Sequence, residues 1–144
     1  MKFPFFKYPS DPRLSGNPWR IEPRIIVNIA VPTSSTGVDI VVLLDTGAGA
    51  NLFTAEIADL IGIKALESGE EKNFYGVSNQ KVRAFGHPVT MALGGHKFST
   101  KVYFSRDVGR ETLLLGMEGF FDRFVVTFDR SREVIEIKPA KKSK

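Results

Sequence analysis

One short segment of this 144-residue chain places an acid, a hydroxyl and a glycine directly after an apolar run. The apolar residues Val41–Leu44, which end a predicted strand over 38–44, are followed by Asp45, Thr46 and Gly47. Because burial of an unpaired carboxylate costs several kcal/mol, Asp45 must be hydrogen-bonded, exposed in a cleft or protonated. Gly47 permits a sharp backbone reversal that directs amide groups at the carboxylate. The triplet therefore indicates acid–base chemistry, although the same residues also form an ordinary turn.

A second motif comes later in the chain, where the apolar run Leu113–Leu115 meets Gly116 and a predicted short helix, 118–123, follows. The ordered pair of motifs resembles the retropepsin-like aspartic proteases, in their single-lobe, prokaryotic form. The resemblance spans residues 24–138. Further similar segments are the Gly94–Gly95 turn and residues 120–129 and 134–137.

The resemblance implies hydrolysis of a peptide bond by a water molecule held between two aspartates that share one proton. The ionised aspartate takes a proton from the water, and the protonated one polarises the scissile carbonyl. Since one chain carries one triplet, Asp45 would face Asp45 of a second copy in a homodimer. Thr46 would hydrogen-bond between the copies, and Gly47 would present its carbonyl to an extended peptide.

The resemblance also assigns substrate-binding and supporting roles outside the triplet. Ala48 and Gly49 would line the substrate cleft. Four residues lie where the family carries its flap, a hairpin that closes over the substrate; the alternative to this favoured interpretation is a plain surface turn. These four are Tyr75, Gly76, Val77 and Ser78. The residues that would thread under the catalytic loop and support it are Leu114, Leu115 and Gly116.

Two positions depart from the viral members of the family. Those members carry an aspartate two positions after the glycine of the triplet and an arginine directly after the second glycine, and the two pair. Here the positions are Gly49 and Met117. Both charges are absent together, so neither is left unpaired. A dimer would therefore be held in another way, for which the candidates are the aromatic N-terminal arm and the C-terminal strand.

Other chemistries find less support. The segment Gly47–Leu52 is similar to a dinucleotide-binding loop, but Leu52 stands where glycine or alanine is needed and no regular βαβ series follows. His87 and His96 lack the spacing of metal ligands, so no metal or cofactor is expected. No serine-nucleophile elbow occurs. A non-catalytic dimerisation or peptide-binding module of the same fold stays open as the alternative from another class.

The composition indicates which partners and which cellular compartment to expect. The chain has no cysteine, which excludes disulfides and thiolate chemistry and favours the reducing cytoplasm. Its longest apolar run, Ile40–Leu44, is far shorter than the roughly 20 residues of a membrane span. The formal net charge is +4, and much of the excess lies in the C-terminal lysines, so neither nucleic acid nor a membrane is an expected partner.

The elements that must position these residues are mostly strands. The chain divides into a proline- and aromatic-rich arm (1–23), a domain (24–138) and a basic tail (139–144). The arm is expected to be extended, lying on its own domain or gripping a partner subunit. One helix is predicted over 54–62, with Thr54 as N-cap and a buried face of Ile57, Leu60 and Ile61. The expected fold is mainly β: a closed, single-lobe pepsin- or retropepsin-like barrel with one or two short helices and a flap hairpin.

Overall fold

Twelve strands and one α-helix make up the computed structural model of the chain, which describes residues 1–11, 13–14 and 16–141. Pro12 of the predicted arm and residues 142–144 of the predicted tail lie outside these ranges. The strands are β1 (Lys2–Pro4), β2 (Phe6–Pro9), β3 (Trp19–Glu22), β4 (Arg24–Ala30), β5 (Val38–Leu44), β6 (Leu52–Thr54), β7 (Glu70–Tyr75), β8 (Lys81–Leu93), β9 (His96–Ser105), β10 (Leu113–Leu115), β11 (Phe124–Asp129) and β12 (Val134–Pro139). The helix α1 (Ala55–Ile61) follows β6. Within the described ranges, no helix is long and apolar enough to cross a membrane.

Six of the strands close into a barrel. Their order around it is β4, β5, β10, β6, β9 and β8, and the pairing of β4 with β8, in which Asn28 faces Ala92, completes the ring. Apolar residues alternate along the strands, so that Val27 and Ile29 on β4 are fully buried inside. The predicted mainly β, closed barrel is confirmed. Strand β7 joins the outer edge of β8 and forms a hairpin with it.

Strand β10 lies between β5 and β6, which come from either side of the Asp45 triplet. It runs parallel to β5 and antiparallel to β6. The loop 45–51 must therefore leave β5, pass over the end of β10 and return as β6 on its far side. This arrangement places the second motif directly beneath the first.

The three strands of the N-terminal arm, β1 to β3, contact their own chain. Strand β1 pairs with β12, with Phe3 opposite Ile135, and Phe5 is buried in the same apolar core as the barrel residues. Strands β2 and β3 form a separate hairpin, in which Phe6 faces Glu22. Of the two arrangements considered for the arm, packing on its own domain is the one seen in a single chain. The boundary at residue 24 stays a prediction.

Helix α1 has the predicted position but a different buried face. It follows Thr54 and ends at Gly62, whose φ of 95° lies in the left-handed region that favours glycine. Leu60, predicted to be buried, is 60% exposed. The helix packs on β6 and β9 through the small residues Ala55 and Ala58, and this close approach turns Leu60 outward. Thr54 is also the last residue of β6, and its side chain makes no capping bond.

The helix predicted over 118–123 is wrong. Those residues form consecutive turns, because Gly119 has a φ of 105° that a right-handed helix cannot contain. The amide of Phe121 donates to the carbonyl of Gly116, five residues earlier, at 3.1 Å. The second short helix is instead a single 3-10 turn at Leu66–Ser68.

Candidate active site

Asp45 follows the last residue of β5 and is half-buried. The amide of Gly47 donates to its Oδ1 at 2.9 Å, and the amide of Ala48 donates to its carbonyl oxygen at 3.0 Å. These two bonds close a tight turn around the carboxylate. One carboxylate oxygen is therefore fixed by the loop itself, while the side chain remains accessible from the cleft.

Strand β10 supports this turn from below. Leu114 pairs with Leu43, and Leu115 pairs with Leu44. The amide of Asp45 donates to the carbonyl oxygen of Leu115 at 3.0 Å. Because Leu115 is fully buried in the barrel core, the backbone of Asp45 is anchored to the rigid part of the fold.

Gly116 lies under the loop with no space for a side chain. A Cβ built on it would stand 2.5 Å from the carbonyl oxygen of Ala50 and 2.6 Å from that of Ala48. The chain beyond it continues the contact, since the amide of Met117 donates to the carbonyl of Ala48 at 2.8 Å. Met117, which stands where viral members of the family carry an arginine, thus contributes a backbone hydrogen bond. Its side chain is half-exposed.

Asn51 is a site residue that the sequence analysis missed. Its side chain is fully buried. Oδ1 accepts the amide of Gly116 at 3.0 Å, and Nδ2 donates to the carbonyl of Lys101 at 3.1 Å. A single amide residue between the apolar Ala50 and Leu52 is the signal that could have indicated it, because a buried polar side chain requires specific partners.

A cleft of about 280 Å³ lies between the loop that carries Asp45 and the β7–β8 hairpin. It brings together most of the residues that the sequence assigned to the site. Its lining consists of Asp45, Gly47, Ala48, Gly49, Leu52, Phe74, Tyr75, Gly76, Val77, Val82 and Leu114. Thr46 and Ser78, both assigned to the site, are exposed and outside this lining. Among the described residues that line the cleft, Asp45 is the sole acid.

The tip of the β7–β8 hairpin overhangs the cleft. The two strands pair as far as Tyr75 and Lys81, and the amide of Gly76 then donates to the carbonyl of Gln80 at 3.1 Å. Asn79 completes the turn with a φ of 60°, which asparagine tolerates better than most residues. Val77 at the tip is fully exposed. The tip of the hairpin therefore covers one side of the cleft while its other surfaces are exposed to solvent.

Charged groups tie the base of this hairpin to β9. A hydrogen bond from the Lys101 ammonium to the Glu70 carboxylate holds the pKa of Glu70 below its usual value and raises the pKa of Lys101. Burial raises the pKa of Tyr103, whose ring Phe74 meets edge-on at 5.5 Å between centroids. In the described parts of the chain, no group of three or more histidine and carboxylate side chains is arranged to hold a metal ion.

Comparison with known proteins adds three findings. A family profile described as aspartyl protease matches residues 31–118. A retropepsin-like aspartic protease from Rickettsia conorii has a similar structure, at 22% identity and a TM-score of 0.57, over 80% of this chain and 89% of that one. The retroviral protease-like domain of Ddi1 from Leishmania major is similar at 16% identity and a TM-score of 0.53, over 78% and 86%. These likenesses show the retropepsin-like fold. A search of curated proteins finds no significant match.

Proposed function

The chain belongs to the aspartyl protease family, and we propose that it is an aspartic endopeptidase whose active site is shared by two copies of the chain. The observation that carries this proposal is the single carboxylate of the cleft. Activation of water by aspartates requires one group that is ionised and one that is protonated. Asp45 supplies one, and the described lining contains no second acid. The second carboxylate therefore comes from Asp45 of a symmetry-related chain.

The local geometry supports this chemistry. The amide of Gly47 fixes one oxygen of Asp45, which leaves the other free to orient a water molecule. Gly47, Ala48 and Gly49 line the cleft, where the carbonyl of Gly47 can accept a hydrogen bond from the main chain of an extended peptide. The apolar lining from Phe74, Val82 and Leu114 favours apolar side chains in the substrate.

The β7–β8 hairpin serves as the flap in this proposal. Tyr75, Gly76 and Val77 line the cleft from above, and their backbone amides can close over a bound peptide. Closure excludes water from the carboxylates and strengthens the electrostatic interactions there. Thr46, which is exposed beside the cleft, contacts the second copy and fixes the two loops against each other.

The direct test is Asp45→Asn, assayed for cleavage of casein, an unstructured protein with many apolar segments. We expect a folded protein without measurable turnover, since the amide can neither take nor give the proton. Asp59→Asn, which changes an exposed aspartate on α1, is the matched control and should retain full turnover. Cleavage by the Asp45→Asn variant at the wild-type rate would refute the proposal.

The shared site has its own test in mixed dimers. Wild-type chain is mixed with increasing Asp45→Asn chain under conditions that exchange subunits. If each active site requires both copies of Asp45, the activity per total chain is proportional to the square of the wild-type fraction. A linear decrease would mean that one chain suffices. Sedimentation at micromolar concentration checks in parallel that a dimer forms.

A transition-state mimic of the pepstatin type separates the protease from a non-catalytic peptide-binding module. A protease binds the mimic far more tightly than a simple peptide, because its site is complementary to the transition state. Asp45→Asn should abolish that difference. If the wild type and Asp45→Asn both bind the mimic no more tightly than an ordinary peptide, the chain is a binding module.

A further inference from the structure

We propose that Asn51 is a positioning residue for Asp45, acting through the peptide group that joins Leu115 to Gly116. This inference rests on the proposed function, because it assigns Asn51 to the same site. It concerns a residue that does not line the cleft and does not touch substrate.

The peptide group between Leu115 and Gly116 bonds to the backbone of Asp45 on one side and to the side chain of Asn51 on the other. Its carbonyl oxygen, on Leu115, accepts the amide of Asp45 at 3.0 Å. Its N–H, on Gly116, donates to Oδ1 of Asn51 at 3.0 Å. The orientation of this single peptide plane therefore sets where the Asp45 amide is held. Donation by the N–H also polarises the carbonyl and strengthens its bond to Asp45.

The Asn51 amide is fixed from its other end. Nδ2 donates to the carbonyl of Lys101 at 3.1 Å and lies 3.5 Å from Oγ1 of Thr100. That hydroxyl donates in turn to the carbonyl of Gly119 at 2.7 Å. Asn51 thus joins β9, the end of β10 and the turn that follows β10. Few other side chains could replace it, because the bonds require an acceptor and a donor on one short planar group.

The surrounding packing prevents the amide from relaxing into another position. A Cβ on Gly119 would stand 2.4 Å from Nδ2 of Asn51, so the turn passes directly against the amide. Gly116 is equally close to the loop above it. Removal of the Asn51 amide leaves the N–H of Gly116 buried without an acceptor, and the peptide group must rotate or shift to find one. The Asp45 backbone moves with it.

The activity test compares Asn51→Leu and Asn51→Asp with a matched control, Ser105→Ala. Ser105 is also fully buried, and its hydroxyl donates to the carbonyl of Arg83 at 2.6 Å, away from the catalytic loop. We expect Asn51→Leu to lower kcat about 100-fold per folded molecule, since small misplacements of reacting groups have effects of that size, while KM changes little. Ser105→Ala should lower stability but retain kcat.

Asn51→Asp provides a conservative rescue. A neutral carboxyl group can accept from Gly116 and donate to Lys101, as the amide does, whereas an ionised one cannot donate. The kcat of this variant relative to wild type should therefore rise as the pH falls. If Asn51→Leu does not fold, this variant carries the test alone. A relative kcat close to one at every pH would overturn the proposal.

Hydrogen exchange of the Asp45 amide gives a second readout that does not depend on turnover. We expect faster exchange of this amide in both Asn51 variants and unchanged exchange in Ser105→Ala. Unchanged protection and unchanged kcat in the Asn51 variants would overturn the positioning role and leave the protease assignment intact. Faster exchange of the Asp45 amide in the Asn51 variants, together with a wild type that cleaves nothing, would support the positioning role and refute the protease assignment alone.

Discussion

A methyl group on the α-carbon of Gly116 would stand 2.6 Å from the carbonyl oxygen of Ala48, a separation that real side chains do not show. The second motif and the loop that carries Asp45 are therefore in direct backbone contact. Glycine at this position is a requirement of packing, because any side chain would push the loop away from the end of β10. This contact fixes the distance between the loop that carries Asp45 and the end of β10.

Gly116→Ala should consequently destabilise the protein and impair the site together. We expect a loss of about 1–3 kcal/mol in the free energy of unfolding, the usual effect of overpacking, measured by urea denaturation. Gly49→Ala is the matched control in the same loop, since a Cβ there has no atom within 4 Å. Equal stability of the two variants would contradict the close packing seen at Gly116.

The exposed tip of the hairpin gives a prediction about substrate binding. Val77 lines the cleft and is fully exposed in the free chain, so a bound peptide would bury it. Val77→Asp should raise KM for an apolar peptide about tenfold or more, since burial of a valine contributes about 1.5 kcal/mol. Its unfolding free energy should not change. Ser78→Asp, one position further and outside the lining, should leave KM unchanged; an equal rise in both would argue against a specific contact.

Two leucines near α1 should respond very differently to truncation. Leu66 is 2% exposed, whereas Leu60 is 60% exposed. We expect Leu66→Ala to cost about 2–5 kcal/mol in unfolding free energy and Leu60→Ala to stay within about 0.5 kcal/mol of wild type. Thermal and urea denaturation would check both. A large loss at Leu60 would mean that another molecule covers this face in solution.

The pH dependence of stability should show the contribution of Glu22. Burial alone raises the pKa of its carboxyl, but three hydrogen-bond donors outweigh burial and hold the pKa below its usual value. The donors are Tyr8, Arg20 and Arg24. A lowered folded-state pKa stabilises the protein above the unfolded value, about 4.3, and this stabilisation is lost as the pH falls through the lowered pKa.

The measurement is the difference in unfolding free energy between wild type and Glu22→Gln across the acid range. The wild type should exceed Glu22→Gln in unfolding free energy by a constant amount above about pH 5, and this excess should disappear as the pH falls. Glu56→Gln, which removes an exposed ion pair with Arg110, should show a smaller difference throughout. A Glu22 difference that grows with acidity would contradict the direction of the shift.

The sequence predicted the mainly β fold and the end of a strand just before Asp45, because both depend on local patterns. Strand β5 (Val38–Leu44) has the same bounds in the structure as in the prediction. Alternating β-branched residues end there at a polar or glycine residue, and such signals need no knowledge of distant contacts. The pairing of β10 with β5 followed from the family resemblance, since no local pattern specifies which strands become neighbours.

The elements that were missed depend on contacts between distant segments. The short strand β6 exists because Leu52 and Phe53 enter the gap between β10 and β9. The helix expected after Gly116 fails at Gly119, which has a positive φ and lies close against the side chain of Asn51. Asn51 itself resembles any loop asparagine until its partners at Gly116 and Lys101 are known.

Strand β8 (Lys81–Leu93) belongs to the barrel wall and to the hairpin at once. Phe85 and Gly86 are paired on both sides, with β7 and with β9. The hairpin is thus a cantilever clamped at these two residues and at Arg83, whose carbonyl accepts the Ser105 hydroxyl. Its free arm is the pairing of 74–75 with 81–82, roughly 7 Å long at the usual rise per residue. Bending is confined to that arm, so the clamp sets both the reach of the tip over the cleft and the arc through which it can swing.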